Sequence, residues 1–134
     1  MKEVDEAAVK ASSELKGLKV KLFGEKSLIN NEAIEFSTSN TKRLQHAYKH
    51  ASDLGFGNWN KENSKLWKEY ISDNLKNATK TFDNTLGNDA VKGYYRNIKG
   101  NDVAIYIYKE GTNKGLVASV VKLSKAQMKK FGLE

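Results

Sequence analysis

From Thr41 to Leu54 the apolar residues Leu44, Ala47, Tyr48, Ala51 and Leu54 recur at three- and four-residue steps, which predicts a helix with one buried face. Ser39, Asn40 and Thr41 are candidate N-caps. Gly55 and Gly57, two glycines within three residues, predict the stop. Asn60 is then read as the N-cap of a second helix whose face is traced by Leu66, Trp67, Tyr70, Ile71, Asn74 and Leu75, fading around Asn77. Trp59 lies between the two, placed to sit under the turn near Asn63 and Ser64. Upstream, Val4, Ala7, Ala8, Ala11 and Leu15 predict a helix over 4–17 ending at Gly17. Residues 18–24 alternate leucine and valine with lysine, compatible with a short strand or a linker. Residues 25–40 are polar with scattered Leu28, Ile29, Ile34 and Phe36, and read as a loop or tether.

After Ala78 the period changes to two. Strands are predicted over 79–83, 91–97, 103–109 and 116–122, with a Gly/Asn/Asp loop over 84–89 and turns at Lys-Gly-Asn-Asp and Gly-Thr-Asn-Lys-Gly. The third of these alternates Val103, Ile105 and Ile107 with Ala104, Tyr106 and Tyr108, giving an aliphatic face and a phenolic one. Ser124 and Gln127 form a capping-box pattern that opens a short last helix burying Met128 and Phe131 before Gly132. The fold class expected is α+β: N-terminal helices packed on a twisted antiparallel sheet of about four to five strands, with a short C-terminal helix.

Composition adds a division to this pattern. With 134 residues the chain has room for one substantial core. It has no cysteine, so no disulfide framework or thiolate metal site, and no apolar run long enough for a membrane span. Its start, MKEVDE, lacks the pattern of a signal peptide, and the chain reads as a piece of a longer polypeptide. Residues 1–40 carry 6 Lys/Arg against 7 Asp/Glu, whereas residues 41–134 carry 17 against 9. The whole basic excess of the +7 chain thus falls in the second part. A lysine-rich surface serves solubility in many small proteins; confined to one part, it is also the footprint expected for binding a polyanion such as nucleic acid.

Both histidines, His46 and His50, lie in the first of the two central helical stretches, with Arg43, Lys42 and Lys49 beside them. Two histidines at i and i+4 can bind zinc, with Asp53 as a third ligand, but Ala47 stands where a zincin has its glutamate. Cysteine nucleophiles are excluded and no serine sits in an elbow motif. The inventory suits metal-free RNA phosphodiester cleavage, which needs a base for the 2′-hydroxyl, an acid for the leaving 5′-oxygen and cations for the charged phosphorane. Tyr94, Tyr95, Tyr106 and Tyr108 are open to two readings, stacking on splayed bases or packing within the sheet.

The run Leu44-Gln45-His46-Ala47-Tyr48-Lys49-His50-Ala51-Ser52-Asp53-Leu54-Gly55, followed by Gly57-Asn58-Trp59-Asn60, resembles the Lys-His-Ala-x-Asp-Phe-Gly segment of colicin D-type toxin tips. That family includes the tRNase tips of contact-dependent growth inhibition proteins. Val91-Lys92-Gly93-Tyr94-Tyr95-Arg96-Asn97 and the ending Ser119-Val120-Val121-Lys122-Leu123-Ser124-Lys125-Ala126-Gln127 are similar to its strand and closing helix. The resemblance implies a metal-independent ribonuclease domain of the barnase/EndoU/colicin/RelE type over 41–134, needing no cofactor and cutting tRNA in or near the anticodon loop to leave a 2′,3′-cyclic phosphate. By motif it implies His50 and Lys49 as catalytic residues, with Ser119 at a matching polar position of the site and Lys122 three residues on. Arg43 and Tyr95 join the expected substrate contacts from the charge and strand patterns, and His46, which has no counterpart in the family motif, from its i, i+4 spacing to His50. It implies tRNA and a cognate immunity protein, acidic at the interface, as partners, with a translation factor of the target cell as a further candidate and no stable membrane insertion. Residues 1–40 would then link the domain to its carrier or assist passage into the target cell. Such a domain is expected at the C-terminal end of a secreted or cell-surface toxin and acts in the target-cell cytoplasm. The alternative is a non-catalytic basic nucleic-acid-binding domain. Leu54 stands where the family has Phe, and Val121 where an aromatic is common.

Overall fold

The computed structural model describes residues 27–134; the helix expected over 4–17 and the strand or linker over 18–24 lie outside them. Helices α1 (Asn31–Ser37) and α2 (Thr41–Ala47) lead into a 3₁₀ helix (Tyr48–Leu54), then α3 (Lys61–Lys76). Strands β1 (Lys80–Leu86), β2 (Asp89–Ile98), β3 (Asn101–Tyr108) and β4 (Val117–Lys122) follow, then helix α4 (Lys125–Lys130). The strands form one antiparallel meander in the order β1-β2-β3-β4, so β4 is an edge. The α+β class expected from the change of period is what the fold shows, with four strands.

The helix starts follow from side-chain caps. Asn40 accepts a hydrogen bond from the Arg43 amide at 3.1 Å, and Asn60 accepts from that of Asn63 at 2.7 Å. Ser124 and Gln127 exchange both bonds of a capping box at 3.1 and 2.9 Å. Each satisfies amide groups that the first helical turn leaves without an internal partner.

Four expectations are corrected. The loop read over 25–40 contains α1, capped by Asn30, with Ile34 buried and joined to Ile29 in the main core. Its seven residues are too few for a helical repeat to stand out. The expected continuous central helix changes at Tyr48 from α to 3₁₀, where the cap amides turn to the Gln45 and His46 carbonyls. The expected loop over 84–89 is instead strand on both sides of a two-residue turn, Gly87-Asn88, with Leu86 paired to Asp89 and Gly87 at φ 63°. Positive φ at this point lets the turn twist with the strands it joins. Leu66 also turns outward, leaving Trp67, Ile71, Asn74 and Leu75 as the buried face of α3.

The sheet is covered on both sides, and the alternation along β3 decides which residue goes where. Val103, Ile105 and Ile107 pack with Leu44, Ala47, Ala51, Trp67, Ile71 and Leu75 on the front. Ala104 and Tyr106 pack with Val91, Tyr95, Leu123, Met128 and Leu133 on the back, under α4. On this back face Phe82 lies over Gly93, its partner in register, where an added Cβ would sit only 2.4 Å from the ring. The ring also meets Tyr106 and Phe131, at centroid distances of 5.6 and 4.5 Å. Along β4 the register shifts between Tyr106 and Ile107, so that Ser119 pairs with Tyr106, Val117 with Ile107, and Ala118 is the extra residue.

The front layer is tied together by Trp67, which is fully buried and donates its indole N–H to the Leu44 carbonyl at 3.0 Å. In an uninterrupted α-helix that carbonyl would accept from Tyr48. The change to 3₁₀ leaves it for the indole. Replacing Trp67 with Phe should therefore lower stability by about 2–3 kcal/mol in denaturant unfolding, through the unpaired carbonyl and the vacated volume. A loss below about 0.5 kcal/mol would show that this bond does not hold the layer.

On the back face the Tyr95 hydroxyl donates to Asp102 at 2.6 Å, and Asn97 donates to the same carboxylate at 3.0 Å. The bond from Tyr95, then that from Asn97, holds the Asp102 pKa below its ordinary 3.8. A lowered carboxyl pKa contributes stability that is present above the unfolded value and is lost as pH falls through the folded one. Tyr95→Phe should accordingly be less stable than the parent near neutral pH, with the difference shrinking below pH 3.8. A difference that stays constant from neutral pH into that range would refute the assignment.

Candidate active site

Lys49 and His50 sit in the 3₁₀ helix as two exposed residues between two anchored ones. On one side is Tyr48, whose ring meets Trp59 at 5.0 Å, Trp67 at 5.1 Å and Phe56 at 5.9 Å, all edge-on. Its hydroxyl donates to the Gly57 carbonyl at 2.9 Å. Burial raises the phenol pKa above its usual 10.0, so the group remains a donor at neutral pH. On the other side Ala51 is fully buried, and its carbonyl accepts from the Phe56 amide at 3.1 Å. Gly55, at φ 90°, makes the return turn and donates to Ser52 at 3.1 Å. Tyr70 completes the frame by stacking on Trp67 at 5.7 Å and meeting Phe56 at 5.3 Å. A 3₁₀ run of seven residues is long for this geometry, and the aromatic frame on both flanks accounts for its persistence.

The change of helix type separates the two histidines. Continuous α-helix would set His46 and His50 about 40° apart around the axis; three 3₁₀ steps after Ala47 open this to about 100°. His46, exposed in the last turn of α2, and His50 therefore do not share one helical face. Arg43, half-buried, lies in the first turn of α2. Asp53 does not join the histidines as a ligand set: among the described residues no group of three or more His, Asp or Glu side chains could hold a metal ion.

Helix α2 and the 3₁₀ helix pack along β4, the strand that carries Ser119 and Lys122. Register puts these two on different faces. Lys122, exposed at the end of β4, pairs with Val103 and belongs to the front with the helices. Ser119, 7 % exposed, pairs with Tyr106 and belongs to the back. The expected grouping of His50, Lys49 and Ser119 is thus arranged across the edge strand and not within one face. Tyr95 is corrected more strongly. It is buried on the back face at two strands' remove from β4, with its hydroxyl committed to Asp102, so it offers no open ring to a base. Tyr94 and Tyr106 are likewise buried, which favours packing over stacking for these strand tyrosines.

The aromatic frame of Tyr48, Phe56, Trp59, Trp67 and Tyr70 was not assigned to the site by sequence pattern. Its signal is the density of aromatics on both sides of the Gly-Asn turn; helical spacing does not reveal that they converge. The sequence pattern gives no signal for Arg96 either. Its guanidinium donates to Asp73 at 2.8 Å and to the buried Asn74 at 3.0 Å, joining β2 to α3.

The chain fits the family model described as Colicin D over residues 43–131, a span that includes α2, the 3₁₀ helix, α3, the whole sheet and α4. No curated protein and no solved structure matches it. The matched span holds Arg43, Lys49, His50 and the β4 edge in one folded unit, and by that match the chain belongs to the colicin D family of tRNA-cleaving toxins.

Proposed function

We propose that the domain is a metal-independent endoribonuclease that cuts tRNA in or near the anticodon loop of a competitor bacterium. The observation that carries this reading is the Lys49-His50 pair, exposed between the anchored Tyr48 and Ala51 on a short helix along an edge strand. In the proposed reaction a general base takes the proton of the 2′-hydroxyl, the 2′-oxygen attacks phosphorus, and the bond to the 5′-oxygen breaks as that oxygen is protonated. The products are a 2′,3′-cyclic phosphate and a 5′-hydroxyl. His50 serves as acid or base, and Lys49 stabilises the phosphorane charge. Ser119 positions the phosphate from the edge strand, with Arg43, His46 and Lys122 on the flanking substrate.

The catalytic module is 41–134, and residues 1–40 link it to a carrier or assist its passage into the target cell, with Ile29 and Ile34 packed against the module's core. The carrier is a secreted or cell-surface protein of the contact-dependent inhibition type, with this module at its C-terminal end. A cognate immunity protein covers the basic face with acidic residues, and a translation factor of the target cell is a further partner.

The test is incubation of wild type and His50→Ala with total bacterial tRNA in the presence of chelator, read on a denaturing gel. Discrete fragments bearing cyclic phosphate ends are expected for wild type, and cleavage at least ~100-fold slower for the variant with binding retained, the usual worth of a proton-transfer group. Equal cleavage by both would remove His50 from the reaction. Loss of wild-type cleavage on adding chelator would overturn metal independence, and RNA binding without cleavage by either protein would favour the plain binding domain.

Lys49→Gln should slow the same cleavage by roughly 100- to 1000-fold, the range seen when a group that stabilises transition-state charge is removed. Unchanged rates would place the phosphorane charge elsewhere.

A further inference from the structure

The cations of the proposed site, Arg43, Lys49 and Lys122, lie on the front of the β4 edge, yet cations continue past it. Lys122 closes β4 on the front face, and three residues later Lys125 opens α4 on the back. Helix α4 then crosses the back of the sheet towards β1, where Phe131 meets Phe82 at 4.5 Å and the Leu133 carbonyl accepts from Lys80 at 3.1 Å. Along it Lys125, Lys129 and Lys130 are exposed, with Lys125 and Lys129 one turn apart on the same side. The platform is firmly held, since Leu123, Met128 and Leu133 are buried beneath it and the capping box fixes its start.

Charge is unevenly distributed. Residues 117–134 carry four lysines against Glu134 alone, and residues 41–59 carry Lys42, Arg43 and Lys49 against Asp53 alone. Among the described residues the salt bridges are Arg96–Asp73 and Lys109–Asp83, and neither involves these two segments. The cations on both sides of the β4 edge therefore remain uncompensated by ion pairs within the described fold.

We infer that the RNA backbone passes around the end of β4, with the scissile phosphate at Lys49 and His50 on the front and further phosphates on Lys125 and Lys129 on the back. This rests on the ribonuclease reading for the front half of the path. It also gives the two-faced arrangement a purpose: a strand bent over the edge reaches the front pair and the Ser119 side of β4 together. Phosphate contacts of this kind hold the substrate in register without reading bases, and each contributes to the salt dependence of binding.

The experiment measures affinity for total bacterial tRNA across a salt series in the His50→Ala background, so that no cleavage intervenes. Lys125→Gln/Lys129→Gln should weaken binding roughly ten-fold at physiological salt and reduce the slope of log affinity against log salt by about 1.5, two contacts' worth. The control is Lys68→Gln/Lys76→Gln, two lysines that line the groove between α1 and α3; it should leave the slope nearly unchanged. An unaltered slope in the α4 variant, or an equal loss in the control, overturns the path. With His50 intact, uncut tRNA together with an α4-dependent slope would defeat the ribonuclease reading while leaving the path standing. Cleaved tRNA with an unaltered slope would do the reverse.

Discussion

The hydrogen bond from the Trp67 indole to the Leu44 carbonyl is the constraint on which the front of the molecule depends. It joins α3 to α2 across 23 residues of sequence, inside a core where no water is available to substitute for either partner. It coincides with the end of α-helical bonding in α2 at Tyr48, where the cap amides turn to the Gln45 and His46 carbonyls and the indole takes that of Leu44. The same indole packs against Tyr48, Phe56 and Tyr70, so the bond and the ring together locate the 3₁₀ helix. Lys49 and His50 owe their placement to Trp67, a residue wholly buried in the core.

The sheet supplies a second kind of order. With both faces buried, β3 presents five consecutive buried residues, Val103 to Ile107, and sorts them by parity into two cores. Parity also governs the edge strand, where a single extra residue, Ala118, resets which side chains face front and back. Past that point the register is unbroken, and Ser119 and Lys122, three residues apart, lie on opposite sides by simple alternation. In the proposed site, an edge strand with polar groups on both faces would suit a long, bendable polyanion better than a compact ligand, which would need its contacts on one side.

What was legible in the sequence was whatever depends on local periodicity and capping. Asn60 and Ser124 start their helices as their spacing predicts, and the β3 alternation assigns Val103, Ile105 and Ile107 to the core of the front face. The motif around Lys49 and His50 was legible too, through its resemblance to a family that the profile match bears out. What escaped was set by tertiary contacts. Helix α1 is held by Ile34 and an asparagine cap in a stretch too short to show a period. The 3₁₀ helix keeps the apolar spacing of an α-helix while the aromatic frame dictates another hydrogen-bond pattern. Tyr95 has a composition suited to base stacking and a location that forbids it, because its neighbours on the back face and Asp102 occupy it from both ends.

Phe82 and Gly93 illustrate a different consequence of packing. The ring occupies the space in which any side chain at 93 would begin, and it leans at the same time on Tyr106 and Phe131. Neither position can drift alone: enlarging 93 expels the ring, and shrinking 82 opens a void beneath α4. Among relatives the two should therefore vary as a unit, a bulky residue at one accompanied by a small one at the other. The pair would be inherited as a single character that records ancestry on the back of the sheet, apart from any constraint that the front carries.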